Sequence, residues 1–323
     1  MKVAYSFDDN YALQAGVSIL SLLEHHKELE ELVIYVINDH ISEINKRKIN
    51  DMAAGYGRAV EYFDLELLTQ DLKYTTDFSR SAYARLFLAD VLAFDSVIYI
   101  DSDTIINGSL QELQTWDMTG ILVAGVADTV NPYYKLLIGL SYEDKYICSG
   151  GVILLNLKLW RERNITQKCI DFIGRYNGNP PHNDQGAINY VCRGHIGILP
   201  ARYNVMSPMF AFPVRRLKRI FLLKDYYSQE EITAAIYAPT VIHYTDEFYN
   251  RPWFSNCTHP LKQIWRDYFS RSTWTERELP VKKISKNCRI QNFIYRYFPF
   301  YIYLLMVRFI ELRHKLYSLI THN

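Results

Sequence analysis

Short apolar runs that alternate with helix-like segments predict an α/β fold, with a mostly parallel central sheet flanked by helices on both faces. Some of these runs, such as 97–100, are apolar throughout, the mark of a strand covered on both sides. The composition agrees: 49% hydrophobic and 22% charged residues describe an ordinary globular chain and exclude a disordered, collagen-like or disulfide-scaffold protein. A chain of 323 residues can bury a large core without staples.

The elements follow in order. Residues 3–7 form a first strand, and Asp8-Asp9-Asn10 leads from it into a helix over 12–25. Residues 32–37 are a second strand, 41–54 a helix with Ile41, Ile44, Lys48, Ile49 and Met52 roughly on one face, and 59–63 a third strand. A helix over 81–92 leads to the strand 97–100, and 121–127 and 152–155 are further buried strands. Gly and Pro punctuate 177–181, and 201–213 has loop character. Residues 184–191 look helical, opened by an acidic side chain that suits the N-terminal dipole. A late strand spans 239–244 and a helix 260–269. The one clear boundary is near Pro280, which divides a domain of residues 1–280 from a C-terminal extension of 281–323.

Charge marks that boundary. The whole chain carries a net +1, which argues against a general nucleic-acid binder. From Lys282 onward there are eight Lys or Arg, nine aromatics and a single acid, Glu311, so the extension is strongly basic and the rest of the chain is acidic. Basic clusters at 289–296 and 308–315 flank an apolar stretch, as a segment lying in a membrane interface would want; a helix docked on the core or an oligomer contact are the plainer readings. Its longest charge-free run, eleven residues, is well short of the roughly 20 needed to span a bilayer. Cys148, Cys169, Cys192, Cys257 and Cys288 are odd in number and scattered without a CxxC pair, which suits buried thiols in a reducing compartment. The first residues run straight into an apolar strand, so no secretory signal is expected.

The chemistry-bearing residues sit at the ends of these strands. Asp101 and Asp103 follow the strand 97–100; two apart in extended backbone, they point to one side, at the carboxyl end where open α/β sheets place ligands. Two such carboxylates suit Mg²⁺ or Mn²⁺, or simply a solvated acidic turn. His243 ends the strand 239–244 and can join that site or be structural, and Arg251 lies downstream as a clamp for phosphate oxygens. Asp184 and Gln185 put a carboxylate and an amide side by side, useful for gripping sugar hydroxyls and equally a helix N-cap. Asp8 and Asn10 fit a loop that reads a base or ribose, or a capped helix start. Arg85, in Tyr83-Ala84-Arg85, binds diphosphate or pairs with an acid.

Taken together and in this order, these motifs resemble the family 8 retaining glycosyltransferases, most of all their bacterial lipopolysaccharide galactosyltransferase and glucosyltransferase branch, with glycogenin as a distant cousin. The resemblance runs from Val3 to about Trp253. Its markers are Asp8-Asp9-Asn10-Tyr11, Tyr83-Ala84-Arg85-Leu86, Asp101-Ser102-Asp103, Ser149-Gly150-Gly151-Val152, Asn156-Leu157 with Trp160, Asp184-Gln185 and His243-Tyr244. It implies a GT-A fold, a UDP-sugar donor and Mn²⁺, with Mg²⁺ as the alternative. It implies that Asp101, Asp103 and His243 hold the metal and that Asp8 and Asn10 face the uridine. Ser6, Arg85, Ser102, Ser149, Gly150 and Arg251 would complete the donor site. Asp128, Asp184 and Gln185 would form the catalytic centre, with Gln185 nearest the anomeric carbon. Three departures stand out: Ser149 where the family usually has Asn, Gly186 where it usually has Asp, and a longer loop after His243 that carries Arg251 for the usual Lys.

The resulting expectation is a metal-dependent retaining transferase that moves glucose or galactose from a UDP-sugar to a glycan or lipid-linked saccharide in lipopolysaccharide or other surface-polymer synthesis. Its place would be the cytoplasmic face of the membrane, attached to the anionic surface through the extension. Two other classes fit the same residues: a metal-dependent nucleotidyl or phosphoryl transferase, whose product would be phosphorylated, and a non-catalytic UDP-sugar-binding adaptor, which would release no UDP.

Overall fold

The computed structural model describes residues 1–73, 75, 79–283 and 286–321. The strands among the described residues are β1 (Lys2–Asp8), β2 (Val33–Asp39), β3 (Val60–Asp64), β4 (Ser96–Ile100), β5 (Thr104–Ile106), β6 (Val123–Gly125), β7 (Val152–Asn156), β8 (Ile196–Ile198), β9 (Val205–Met206) and β10 (Val241–His243). Seven form one sheet in the order β3-β2-β1-β4-β7-β6-β8, and β5-β10-β9 form a second, small one. The large sheet is parallel except at β7, which runs against both β4 and β6.

Alternate residues of each strand feed two separate cores. Val3, Tyr5 and Phe7 of β1 and Ile34 and Val36 of β2 pack with the buried helix Ala12–His25 on one face. Ala4 of β1, Tyr35 and Ile37 of β2 and Tyr99 of β4 pack on the other, against Trp160 and the amphipathic helix Ile165–Arg175. Both faces are therefore covered, which is why the strands read as unbroken apolar runs.

The structure corrects several local expectations. The segment 81–92 is a 3₁₀ stretch, Arg80–Phe87, followed by a single α turn, Leu88–Val91. The strand expected over 121–127 is only Val123–Gly125, with an isolated bridge from Ala127 to Ile147. The presumed loop 201–213 contains β9 and the helix Ser207–Ala211. Cys148, Cys169, Cys192 and Cys257 are free and buried, while the side chain of Cys288 lies outside those described.

The C-terminal extension is two helices, Lys286–Tyr297 and Phe300–Thr321, and one side of them docks on the domain. Tyr303 is buried against Phe212, Leu217 and Ile220. The Tyr295 hydroxyl donates to the Ala211 carbonyl, and Arg308 donates to the Arg219 carbonyl. Tyr301, Leu305, Phe309 and Leu312, at helical spacing on the other side, stay exposed. No helix among the described residues is long and apolar enough to cross a membrane.

Candidate active site

Strand register assembles the polar cluster. The sheet order reverses around β1, flanked by β2 and β4, and the polar residues gather at the carboxyl ends of β1 and β4. Asp101 and Asp103 lie in the turn between β4 and β5. β10 pairs antiparallel with β5, with His243 opposite Thr104, so the imidazole arrives beside Asp103. Ligating atoms of Asp101, Asp103 and His243 all lie within 4.8 Å of one another.

Asn204, which sequence reasoning missed, sets the histidine. His243 Nδ1 lies 3.0 Å from Asn204 Oδ1, an atom that can only accept, so Nδ1 carries a proton. Asn204 Nδ2 in turn donates to the Gly150 carbonyl at 2.9 Å. That leaves His243 Nε2 facing Asp103 Oδ1 at 3.1 Å. Arg251 Nη2 sits 3.2 Å from Asp103 Oδ2. Burial alone would raise the Asp103 pKa, but His243 and Arg251 override it and hold the carboxyl down at about 2. Burial would lower the His243 pKa, and the Asp103 charge reverses that, so the imidazole titrates above its ordinary value.

These residues fit a divalent cation. Two carboxylates and an imidazole whose second nitrogen is fixed by a hydrogen bond form a donor set suited to Mn²⁺ or Mg²⁺. The space is kept clear by Gly150, where a Cβ would meet Asp101 Oδ2 at 3.0 Å and His243 Cε1 at 3.3 Å.

A second group lies beside it. Arg85 is only 4% exposed and forks between Asp101 Oδ1 at 2.9 Å and Asp184 Oδ2 at 3.2 Å, and it also donates to the Ser149 carbonyl. The Ser149 hydroxyl donates to Asp184 Oδ2 at 3.2 Å, and its backbone N–H donates to Gln185 Oε1 at 3.0 Å. Gln185 Nε2 donates to Asp128 Oδ2 at 2.6 Å. Burial raises the Asp184 pKa to about 6 despite the neighbouring Arg85. A continuous path of contacts thus runs from Asp128 through Gln185, Ser149, Asp184 and Arg85 to Asp101.

The other expected residues divide. Arg251 reaches the cluster, donates to the Tyr11 hydroxyl at 2.9 Å, and keeps a buried Nε with no hydrogen-bond partner among the described residues. Asp8 and Asn10 stand at the end of β1; Asp8 caps the turn Asp9–Tyr11 by accepting from the Tyr11 N–H and also accepts from Asn10 Nδ2. Ser102 lies in the turn between the two aspartates, half-buried. Ser6 does not join them, because its hydroxyl is buried and donates to the Ile37 carbonyl. Of the two roles the sequence leaves open for Arg85, diphosphate binding or pairing with an acid, the structure shows the second, on Asp101 and Asp184. The helix Asn183–Val191 is not capped by Asp184: His182 holds the N-cap position without a side-chain bond.

Gly151 has φ +84°, and a Cβ there would lie 2.1 Å from Asn204 Oδ1. Gly151→Ala should destabilise the fold by about 1–3 kcal/mol and displace Asn204, hence His243. Thermal melting together with Mn²⁺ titration of the variant checks both effects. Unchanged metal affinity would separate Asn204 from the site.

Residues 2–257 match the family model described as glycosyl transferase family 8. The chain belongs to this family. It is 30% identical over 266 residues to a putative glycosyltransferase of Haemophilus influenzae, covering 80% of this chain and 74% of that protein. It is 26% identical over 282 residues to the lipopolysaccharide 1,2-glucosyltransferase of Escherichia coli K12, covering 85% of this chain and 79% of that one. In fold it matches the galactosyltransferase LgtC, solved with donor and acceptor sugar analogues, at a TM-score of 0.70 and 22% identity over 90% of this chain and 99% of the other. The GT-A architecture expected from the motifs is the one observed.

Within this family fold, one departure from the usual motif has a steric cause. A Cβ at Gly186 would lie 2.0 Å from the Pro181 carbonyl oxygen, so the usual Asp cannot follow Gln185 while the Pro180-Pro181 turn keeps its course. Ser149, in place of Asn, uses its short reach to hold Asp184.

Proposed function

We propose that this glycosyltransferase moves glucose or galactose from a UDP-sugar to a saccharide acceptor with retention at the anomeric carbon, and that it needs Mn²⁺ or Mg²⁺ to do so. The observation that carries this reading is the shared wall: Asp101 belongs to the cation cluster and also, through Arg85, to the path ending at Gln185. A donor whose diphosphate lay on the first part would therefore present its sugar to the second. Asp101, Asp103 and His243 would hold the cation, which when bound neutralises charge on the diphosphate leaving group. The unpaired Arg251 Nε offers one more donor to that charge. Asp8 and Asn10 stand where the nucleoside would lie.

Gln185 is held at both ends of its amide, by Asp128 and by the Ser149 N–H, so it is preorganised beside the anomeric centre. Neither carboxylate nearby is free to act as a nucleophile. Asp184 is committed to Arg85 and Ser149, and Asp128 to Gln185 and the Thr129 N–H. Retention is then best served by attack on the same face as the departing phosphate, which takes up the acceptor proton. UDP release from a panel of UDP-sugars with Mn²⁺, followed by NMR assignment of the product anomer, tests the reading. An inverted product, a phosphorylated product, or no UDP release from any donor would overturn it.

The acceptor is a glycan or lipid-linked saccharide of a surface polymer, in keeping with the lipopolysaccharide role of the E. coli relative. The extension would hold the enzyme on the cytoplasmic face of the membrane. Its outer stripe of Tyr301, Leu305 and Phe309, with the exposed Arg313 nearby, supports attachment to an anionic surface, where a basic residue contributes about 1 kcal/mol. The side chains of Arg296 and Lys315 lie outside those described. Removing everything after Pro280 should release the protein from anionic vesicles, but it would also uncover Phe212, Leu217 and Ile220. Replacing Tyr301, Leu305 and Phe309 by Gln leaves the docked face intact and should weaken vesicle sedimentation at least tenfold. Undiminished sedimentation of this variant would refute attachment through the stripe.

A further inference from the structure

Asp128 also lines a cleft of about 490 Å³ whose lining does not include Asp101, Asp103 or His243. That lies within the roughly 300–1,000 Å³ typical of small-molecule sites. Its lining includes the segments around Tyr142 and Tyr146 and around Tyr226 and Tyr227, which the Lys224–Glu143 ion pair joins at 2.5 Å. Tyr146 is buried, Tyr142 is exposed, and Trp116 stands half-buried in the lining. Tyr226 lines the cleft, and its hydroxyl is buried without a hydrogen-bond partner among the described residues.

We propose that this cleft is a second saccharide subsite, which holds a neutral sugar of the acceptor one or more linkages away from the hydroxyl that attacks beside Gln185. The inference rests on the glycosyl-transfer reading above. Three observations choose the occupant. The cleft is continuous with the reaction centre, because Asp128 both lines it and accepts from Gln185. Its lining is rich in aromatic residues, which suit the apolar faces of pyranose rings, and it also holds polar groups that suit hydroxyls. Its charge disfavours an anionic ligand: among the described lining residues, three lysines stand against five carboxylates. The lysines are already engaged, Lys135 with the Asp144 carbonyl, Lys145 with the Ile196 carbonyl and Lys224 with Glu143. A nucleotide or a phosphorylated lipid headgroup would meet net repulsion here.

The test is binding of the full chain, with UDP and Mn²⁺ present, to an array of neutral and phosphorylated gluco-, galacto- and manno-configured saccharides of one to four sugars. Neutral di- or larger saccharides should bind at least tenfold more tightly than the corresponding monosaccharides. Tyr226→Phe and Tyr142→Ala should each reduce that gain by roughly two- to tenfold. Thermal melting of both variants confirms that they are folded. Binding that stops at monosaccharides, prefers phosphorylated glycans, is absent altogether, or is unaffected by both substitutions would overturn the subsite. UDP release by the wild-type protein is read separately. If it occurs while the array is negative, the subsite fails and the transferase reading stands; if it is absent, the transferase reading itself fails.

Discussion

Alanine at Asp103 should reduce sugar transfer by at least about a thousandfold and remove the dependence of UDP binding on Mn²⁺. Asp103 has two jobs. It is one of three groups converging on the candidate cation position, and it is the carboxylate that pairs with both His243 and Arg251. The second job gives a stability signature. Its pKa is held at about 2, below the ordinary carboxylate value, so the ionised form stabilises the fold. The sign follows from linkage: a depressed acid contributes fully above its unfolded pKa and loses that contribution as pH falls toward the folded value. At neutral pH the variant should therefore be less stable by about 2 kcal/mol, and the gap should narrow as pH is lowered from 6 toward 3. Denaturant titrations across that range measure the gap, and calorimetric UDP titration with and without Mn²⁺ measures the binding. A variant that turns over donor at the wild-type rate without metal would remove Asp103 from the cation site.

The parts of this molecule that could be read from the sequence are those whose signal is local. β1, β2 and β4 are buried on both faces and so appear as apolar runs, and polar residues just beyond β1 and β4 mark the cleft. Asp101, Asp103 and His243 could be named because each follows or ends such a run, although only the β5–β10 register shows that they meet. What escaped notice depends on contacts across the chain. β5 and β9 are three and two residues long, too short for a period to show. Asn204 is a single polar residue between apolar neighbours, and only its bonds to His243 and the Gly150 carbonyl reveal its role. The 3₁₀ stretch Arg80–Phe87 looked like an α-helix because both put apolar residues on one side at similar spacing. The extension was legible as basic and aromatic; that it has a docked face as well as a free one follows from the partners of Tyr303 and Tyr295.

Arg85 pairs with acids, one of the two roles its sequence leaves open, and its replacement should have the largest effect on stability. The resemblance puts it on the donor, yet its guanidinium is buried and committed to Asp101, Asp184 and the Ser149 carbonyl, and Nε donates to the Ala82 carbonyl at 3.0 Å. It also lies 4.4 Å from the centre of the Tyr99 ring. Arg85→Ala removes the shared cation and leaves two carboxylates close together with little to offset them. Breaking a buried pair in this way costs about 3–5 kcal/mol, or a drop in melting temperature of roughly 5–15 °C for a domain of this size. Arg85→Lys should recover little, since a single ammonium cannot fork to several acceptors in different directions. Adding Asp184→Asn to Arg85→Ala should recover part of the loss, because it removes one of the stranded charges. Activity falls in every case, so activity cannot distinguish a strut from a donor-binding residue; the melting series can. If Arg85→Ala melted within a degree of the wild type and only weakened donor binding, the guanidinium would belong on the diphosphate after all. A large drop with partial recovery in the double variant would make Arg85 the residue that holds the cation cluster and the Gln185 centre at a fixed separation.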